Sequence, residues 1–529
     1  MPRATSSGVR RESTRRGFMA GALGAGGAAL LARNAGVTRA DTPPAPDAFS
    51  SAVEACRAIA ARRVSSVELT REALERIERF NPALTAYVNV LSDSALTRAR
   101  DADAALARGE SWGPLHGLPV AIKESFAVAG LPQTVGLPSL TDHVPQEDAE
   151  AVARLRAGGG IVLGNTNVPL LLWDLQSFNE IYGTSRNPWN LERTPGGSSG
   201  GNAAALAAGL GYLALGSDIG GSIRTPSHFC GIYGHKPTLN LVPRGGHMPP
   251  LPGTPPGPPT DLPVAGPMAR HAEDLALALG VLGGPAGDDA VAYRWELPAP
   301  RKARLAHYRI GYVLDDPMCP LSSDVKETLE AAVAALRRSG LTLEEGWPEG
   351  VVPREQFETY WYLLAAFGAF DLRDEDLDEE RARAANPAGG LGALRAQARV
   401  NPHKHFQAAS SRRIVARAIW QDYFQTHDAF LMPTDFVAAF PHNHAMPMES
   451  RTLATPEGPR PYLDLLFWIS FATMTGLPAT IAPVGRTRDG LPCGMQILGP
   501  YLEDATPIDV ARGMADAIGG FQAPAAYAL

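Results

Sequence analysis

The chain has 529 residues, 45% hydrophobic and 19% charged, with a net charge of −7. That is the balance of a globular protein long enough for one large core or several domains. Outside its N-terminal segment it holds no apolar run of the ~20 residues that would cross a bilayer, and Cys56, Cys230, Cys319 and Cys493 lack the CxxC spacing of a thiol metal or redox motif, so they read as buried or free thiols whose pairing the sequence does not give.

The first 40 residues form a leader. Arg15 and Arg16 stand just before Phe18, an apolar Gly/Ala-rich run follows from Met19 to Ala32, and small residues around Ala40 offer a cleavage point. This predicts a twin-arginine signal, which exports folded proteins, and a periplasmic or secreted location. Seven Arg and one Glu give the leader six positive charges, leaving the body at −13. So acidic a body offers nucleic acid no basic footprint. The expected partner is a small-molecule or peptide substrate, with no stable membrane anchor once the signal is removed.

From there the pattern alternates helix and strand. SSVELTREALERIERF (65–80) carries a Ser65/Glu68 capping box and apolar residues at helical spacing. AYVNVL (86–91) reads as a strand, SDSALTRARDADAALARG as a helix and LPVAIK (118–123) as a buried strand. EDAEAVARLRAGG followed by IVLGNT (161–166) repeats the step, and RIGYVL (309–314), the helix from Ser322 and LTLEEG continue it. Helices covering a parallel or mixed sheet satisfy such a pattern. The Pro/Gly-rich segment 245–263 reads as a surface loop or cleft wall, and 353–430 as helical and rich in aromatics. With no interdomain linker, residues 41–529 are predicted to form one domain.

GGSSGG (196–201) admits three readings. A flexible linker needs surroundings that tolerate disorder, whereas the helix former NAAALAAG follows at once. A nucleophile elbow matches G-x-S-x-G at Ser198 or Ser199, but it requires a buried strand running into the serine, and SRNPWNLERTPGG is polar and proline-interrupted. The third reading includes GSDIGGSIRTPSHFCGIYGHKPT (216–238), a second small-residue loop entered from the strand-like LGYLALGS. Two such loops let backbone N–H groups approach a ligand closely. Amide cleavage needs that arrangement, together with a nucleophile and a base, which can be a lysine made neutral by burial. Residues 41–300 hold only Lys123 and Lys236. Lys123 ends the LPVAI strand, a position that is ordinarily a solvated surface site.

HGLPVAIKESFAVAG, TNVP, YGTSRNPWNLERTPGGSSGGNAAALAAG, GSDIGGSIRTPSHFCGIYGHKPT and GPMARHAEDLALAL resemble the amidase signature family, as do LMPT, TGLPATIAPVG and GLPCGMQILGP near the C-terminus. The resemblance runs from about residue 50 to 515. It implies an α/β/α sandwich around a large mixed sheet and a Ser–cis-Ser–Lys triad. Matched position by position, Ser222 is the nucleophile, Ser198 the bridging serine after a cis peptide bond, and Lys123 the base. Backbone N–H groups of Ile219, Gly220, Gly221 and Ser222 would hold the oxyanion. Ser199, Asp218 and Arg224 resemble residues that support the loop, and for the last two a structural salt bridge is an equal reading. Glu124 and Asn165 depart from the family's usual Asp and Lys.

Other motifs have plainer readings. Ser323 and Lys326 satisfy S-x-x-K, but without K-T-G or S-D-N partners the serines at 322 and 323 read as helix caps. His403, His405, His442 and His444 lack acidic or cysteine partners at ligand spacing, so they read as loop histidines. The expectation is a serine amidohydrolase working through an acyl-enzyme, with no metal or cofactor. A glutamine-hydrolysing amidotransferase A-type subunit is the alternative, disfavoured by the export signal because its tRNA-dependent partner is cytoplasmic. A catalytically inactive binding protein is the alternative from another class. The 245–263 segment, the aromatic helices within 353–465 and the LMPTDF/FPHNH loop are expected to build an apolar substrate pocket, and a homodimer is the family's expected assembly.

Overall fold

Lys123 and Asp218 end two neighbouring parallel strands, and the sheet that contains them organises the chain. The computed structural model describes residues 45–251 and 261–528. The leader and the centre of the 245–263 segment lie outside the described residues. Residues 44–529 form one compact unit.

The main sheet has eleven strands: β1 (Tyr87–Val90), β2 (Pro119–Lys123), β3 (Ile161–Thr166), β4 (Leu213–Asp218), β5 (Tyr233–Lys236), β6 (Val264–Ala269), β7 (Arg309–Tyr312), β8 (Thr342–Glu345), β9 (Ala429–Pro433), β10 (Ala479–Arg486) and β11 (Pro492–Leu498). Their spatial order is β1-β3-β2-β4-β6-β5-β10-β11-β9-β7-β8. Parallel triplets, β3-β2-β4 and β9-β7-β8, flank an antiparallel centre, so the sheet is mixed. β2 and β4 pair in parallel with Ile122 opposite Leu215, which brings their carboxyl ends to the same edge. That is where open α/β sheets place their ligands.

The helices cover the sheet for reasons readable in their sequences. α1 (Ser66–Leu84) begins with the expected capping box: Ser65 Oγ accepts the Glu68 N–H and Glu68 accepts the Ser65 N–H. It runs past Phe80 with Pro82 inside it and stops at Thr85 in a left-handed conformation. α2 (Gly200–Ala207) and α3 (Arg224–Cys230) follow the two small-residue loops, and every residue of both is buried. α4 (Ser323–Arg338) turns Val325, Leu329, Ala332, Val333 and Leu336 inward, the stripe expected of an amphipathic helix. α5 (Pro353–Phe367) and α6 (Gly390–Val400) lie in the aromatic region, and α7 (Leu466–Thr475) is buried along its whole length.

One local expectation is corrected. Ser322 occupies the N-cap of α4 but donates to the Phe436 carbonyl and makes no cap bond, while the Ser323 N–H is taken by Glu457. Lys326 pairs with Asp315 at the surface, so S-x-x-K forms no site. All four cysteines are free.

Candidate active site

The glycines of GGSSGG permit contact rather than flexibility. A Cβ on Gly197 would lie 2.5 Å from the Gln176 nitrogen, and one on Gly201 would lie 2.5 Å from the Asn167 nitrogen. The loop is therefore pressed against the 167–176 backbone, and only glycine fits at these two positions. The Gly197–Ser198 peptide bond is cis. The second loop, 219–223, joins β4 to α3. The Ser199 N–H donates to the Ser222 carbonyl at 3.2 Å, tying the two loops together.

Lys123 reaches this junction from the end of β2. It is fully buried, against the ordinary expectation for a lysine at a strand end. Its Nζ lies 2.7 Å from Ser198 Oγ, 2.9 Å from Ser217 Oγ and 3.4 Å from the Ser217 carbonyl. Burial lowers the amine to about 7, against the opposing pull of the Asp218 charge. The other lysine singled out, Lys236, is buried too, but its amine donates to the Pro237 carbonyl and takes no part in the serine cluster. Ser217 is the residue that sequence reasoning missed. Its carbonyl also accepts the Ser199 hydroxyl, at 3.3 Å. The signal was present in GSDIGGS, one position before Asp218, but nothing in the sequence distinguishes it from a strand serine.

Asp218 and Arg224 order the 219–223 loop. Asp218 accepts the backbone N–H groups of Gly221, Ile223 and Arg224 at 3.0–3.3 Å and two guanidinium N–H groups of Arg224, the shorter at 2.7 Å. Arg224 donates onward to the Ile469 carbonyl, Gln496 and Thr473. Both side chains are wholly buried. Burial alone would raise the Asp218 carboxyl, but the guanidinium and the N–H donors hold it below the usual range. One expectation changes here. The Gly221 N–H donates to Asp218 at 3.1 Å and is not free for an oxyanion. The N–H groups of Ile219, Gly220 and Ser222 have no partner among the described residues. Tyr360 holds the loop from the far side, its hydroxyl donating to the Ile219 carbonyl at 3.1 Å.

The departures at 124 and 165 lie beside this site. Glu124 is buried and accepts the Thr134 N–H and hydroxyl and the Val135 N–H. Burial pushes its carboxyl up to about 7 against these donors. Asn165 donates to the Pro132 carbonyl at 3.2 Å, and its own side-chain oxygen is buried without a partner.

Ser222, only 5% exposed, lines a narrow cleft with a volume of about 80 Å³. The lining takes Ile219 and Gly220 from the 219–223 loop, Trp361 and Leu364 from α5, Leu466 from α7, and Leu172 to Leu175 as one stretch of its wall. α5 contributes as expected from the aromatic region. The 172–175 wall was not foreseen, because TNVPLLLWD has no helical or strand period. Asp174, Arg395 and Glu449 are the charged groups of the lining. Asp174 pairs with Arg451 at 2.7 Å, and Arg395 pairs with Glu449. The FPHNH loop lies behind the wall, where the Gln176 side chain exchanges two hydrogen bonds with the Asn443 backbone and His444 stacks on Phe178. The described ends of the 245–263 segment do not line the cleft. His403 and His405 are exposed near the start of a separate helix.

The chain has relatives among known proteins. The Amidase family model matches residues 68–507. The A-type subunit of the glutamyl-tRNA(Gln) amidotransferase of Bdellovibrio bacteriovorus is 33% identical over 493 residues, covering 88% of this chain and 96% of that one. A solved structure described as a vestigial protein complex bearing on the origins of an s-triazine catabolic enzyme aligns at TM-score 0.73 and 26% identity, over 90% of this chain and all of that one. A bacterial aryl acylamidase shares the fold at TM-score 0.73 and 24% identity, over 89% and 96% of the two chains.

Proposed function

The chain belongs to the amidase signature family and is an amide-hydrolysing enzyme, and from that premise we propose that it is a serine amidohydrolase in which Ser222 attacks, Ser198 relays the proton and Lys123 is the base. The observation that carries this is the 2.7 Å contact between the fully buried Lys123 amine and Ser198. A neutral amine has two N–H donors and one lone pair. The Ser217 carbonyl and hydroxyl take the two donors, which leaves the lone pair for the Ser198 hydroxyl. As Ser222 adds to the amide carbonyl, its proton passes to Ser198 and the Ser198 proton to Lys123. The ammonium returns a proton by the same path to the departing amine, and water releases the acyl group in the reverse sense. The N–H groups of Ile219, Gly220 and Ser222 receive the oxyanion. Asp218 holds the loop in shape through Gly221.

The cleft supports a neutral amide with an apolar acyl group. Its lining is mostly aliphatic and aromatic, and its carboxylates and guanidinium are spent on internal ion pairs. Free glutamine, with an ammonium and a carboxylate to satisfy, fits that lining poorly. We therefore favour hydrolysis over the amidotransferase reading, although the latter names relatives at 33% identity. We also propose export by the twin-arginine route, on the leader sequence alone.

The test is a fluorophosphonate probe with the adduct mapped by peptide mass spectrometry, beside Lys123→Ala and Ser198→Ala. Labelling at Ser222 that collapses in both variants is expected. Labelling at Ser198 or Ser199 sinks the assignment.

A further inference from the structure

Eight non-glycine residues have a positive φ among the described residues, and three of them lie together beside the cleft wall. Leu171 (φ 51°) donates its N–H to the carbonyl of Val135 (φ 47°) at 2.7 Å, and Leu172 (φ 62°) follows. Branched side chains rarely occupy this backbone region, and such strain persists where the surroundings over-determine it, typically at ligand clamps. Here the surroundings hold the segment from both ends. On one side the Val135 N–H is bound by Glu124, the residue next to Lys123, at 2.9 Å. On the other, Asp174 accepts Arg451 Nη1 at 2.7 Å and the Tyr462 hydroxyl at 2.6 Å. Arg451 is itself buried, with its Nε on the Ala445 carbonyl at 2.6 Å and its guanidinium 5.1 Å from the Tyr462 ring centroid.

What this clamped segment presents is Trp173. The indole is 45% exposed, stacks on Phe367 with centroids 6.5 Å apart, and passes over Gly368, where a Cβ would lie within 3.3 Å of it. It is the exposed large apolar side chain of a cleft that Ser222, 5% exposed, also lines. We propose that Trp173 is a specificity-determining residue for the acyl group, held in place by Arg451 acting through Asp174 as a positioning residue; this rests on the amide-hydrolase reading of Ser222. The class of substrate it selects is a carboxamide whose acyl chain ends in a flat or bulky apolar group. On this proposal a longer chain meets the indole and an acetyl group does not.

The experiment compares two fluorophosphonates, one with methyl and one with 4-phenylbutyl on phosphorus, by their labelling rates at Ser222. Acetanilide and 5-phenylpentananilide, which share a leaving group, give the KM and kcat behaviour. The parent should favour the phenylbutyl compounds. Trp173→Ala should cut that preference about tenfold or more, through KM, while methyl labelling changes less than about threefold. Arg451→Met should reproduce the loss, and Arg451→Lys should restore part of it. An unchanged preference in Trp173→Ala, or an equal loss on both probes, overturns the proposal. If Arg451→Met fails to fold, Trp173→Ala decides alone, since the exposed indole can be removed without opening the core. Absence of labelling at Ser222 in the parent instead overturns the amide-hydrolase reading, and this proposal with it.

Discussion

An ordinary lysine stays protonated to above pH 10, whereas burial brings Lys123 down to about 7. Because the base must be neutral, kcat/KM should rise with pH as a single ionisation centred near 7 and level off above it. A profile flat from pH 5 to 9 would remove Lys123 from the base role. The same shift affects stability. Between about pH 7 and the ordinary lysine range the unfolded chain carries the proton that the folded chain has shed. Stability therefore rises with pH across that window and loses this gain as pH falls toward 7. Lys123→Met should abolish turnover and make the pH dependence of denaturant stability shallower there, by on the order of 1 kcal/mol per pH unit. At this scale the sequence was informative about candidates and silent about choice. Composition narrowed the base to two lysines, and only geometry separates the amine on Ser198 from the one on the Pro237 carbonyl. Ser217 and the engaged Gly221 N–H were not legible, because both depend on how β4 ends rather than on residue type.

In the mechanism we propose, the loop between β4 and α3 is the element on which the rate depends. Gly221 has φ 88°, and a Cβ there would lie 2.9 Å from Thr225 Oγ1 and 3.1 Å from Ile469 Cγ2. Gly221→Ala should therefore strain the loop by about 1–3 kcal/mol and displace the neighbouring Gly220 and Ser222 N–H groups. Oxyanion contacts act mainly in the transition state, so kcat should fall on the order of 100-fold with KM nearly unchanged. Steady-state kinetics beside a thermal melt will show this. A loss confined to KM would mean that the loop binds substrate without stabilising the oxyanion. Elements with a strong period were legible: IVLGNT is β3 residue for residue, and the α4 stripe is the one its spacing predicts. The cleft wall was not legible, because Leu171 and Leu172 hold a backbone that no local propensity favours and that contacts distant in sequence, among them Val135 and the Asp174–Arg451 pair, help to maintain.

At the scale of the molecule, local patterns announce helices on a sheet but not the order of strands, since β5 pairs with β10 across more than two hundred residues, His235 opposite Thr480. The two ends of the described chain also meet: Arg76 donates to the Tyr527 carbonyl, and Phe49 stacks with Phe521. Such a fold cannot close until its last residues are available, and non-local pairing of this kind is slow and exposes strand edges meanwhile. A route that carries the protein already folded fits this topology better than one that threads an open chain, and Arg15 and Arg16 ahead of the Met19–Ala32 run are the signal we propose for it. In a bacterial host with a twin-arginine translocase, the full chain should therefore accumulate outside the cytoplasm with a mature N-terminus near Asp41. Replacing both arginines with lysine should hold it inside at full length and fully active, because the charge of the leader is kept and the body is untouched. Continued export of the double lysine variant would assign the leader to the general secretory path and require the sheet to assemble after crossing. Retention of the unaltered chain in the cytoplasm would remove the export reading and with it one of the two arguments against the amidotransferase role, leaving the apolar cleft as the other.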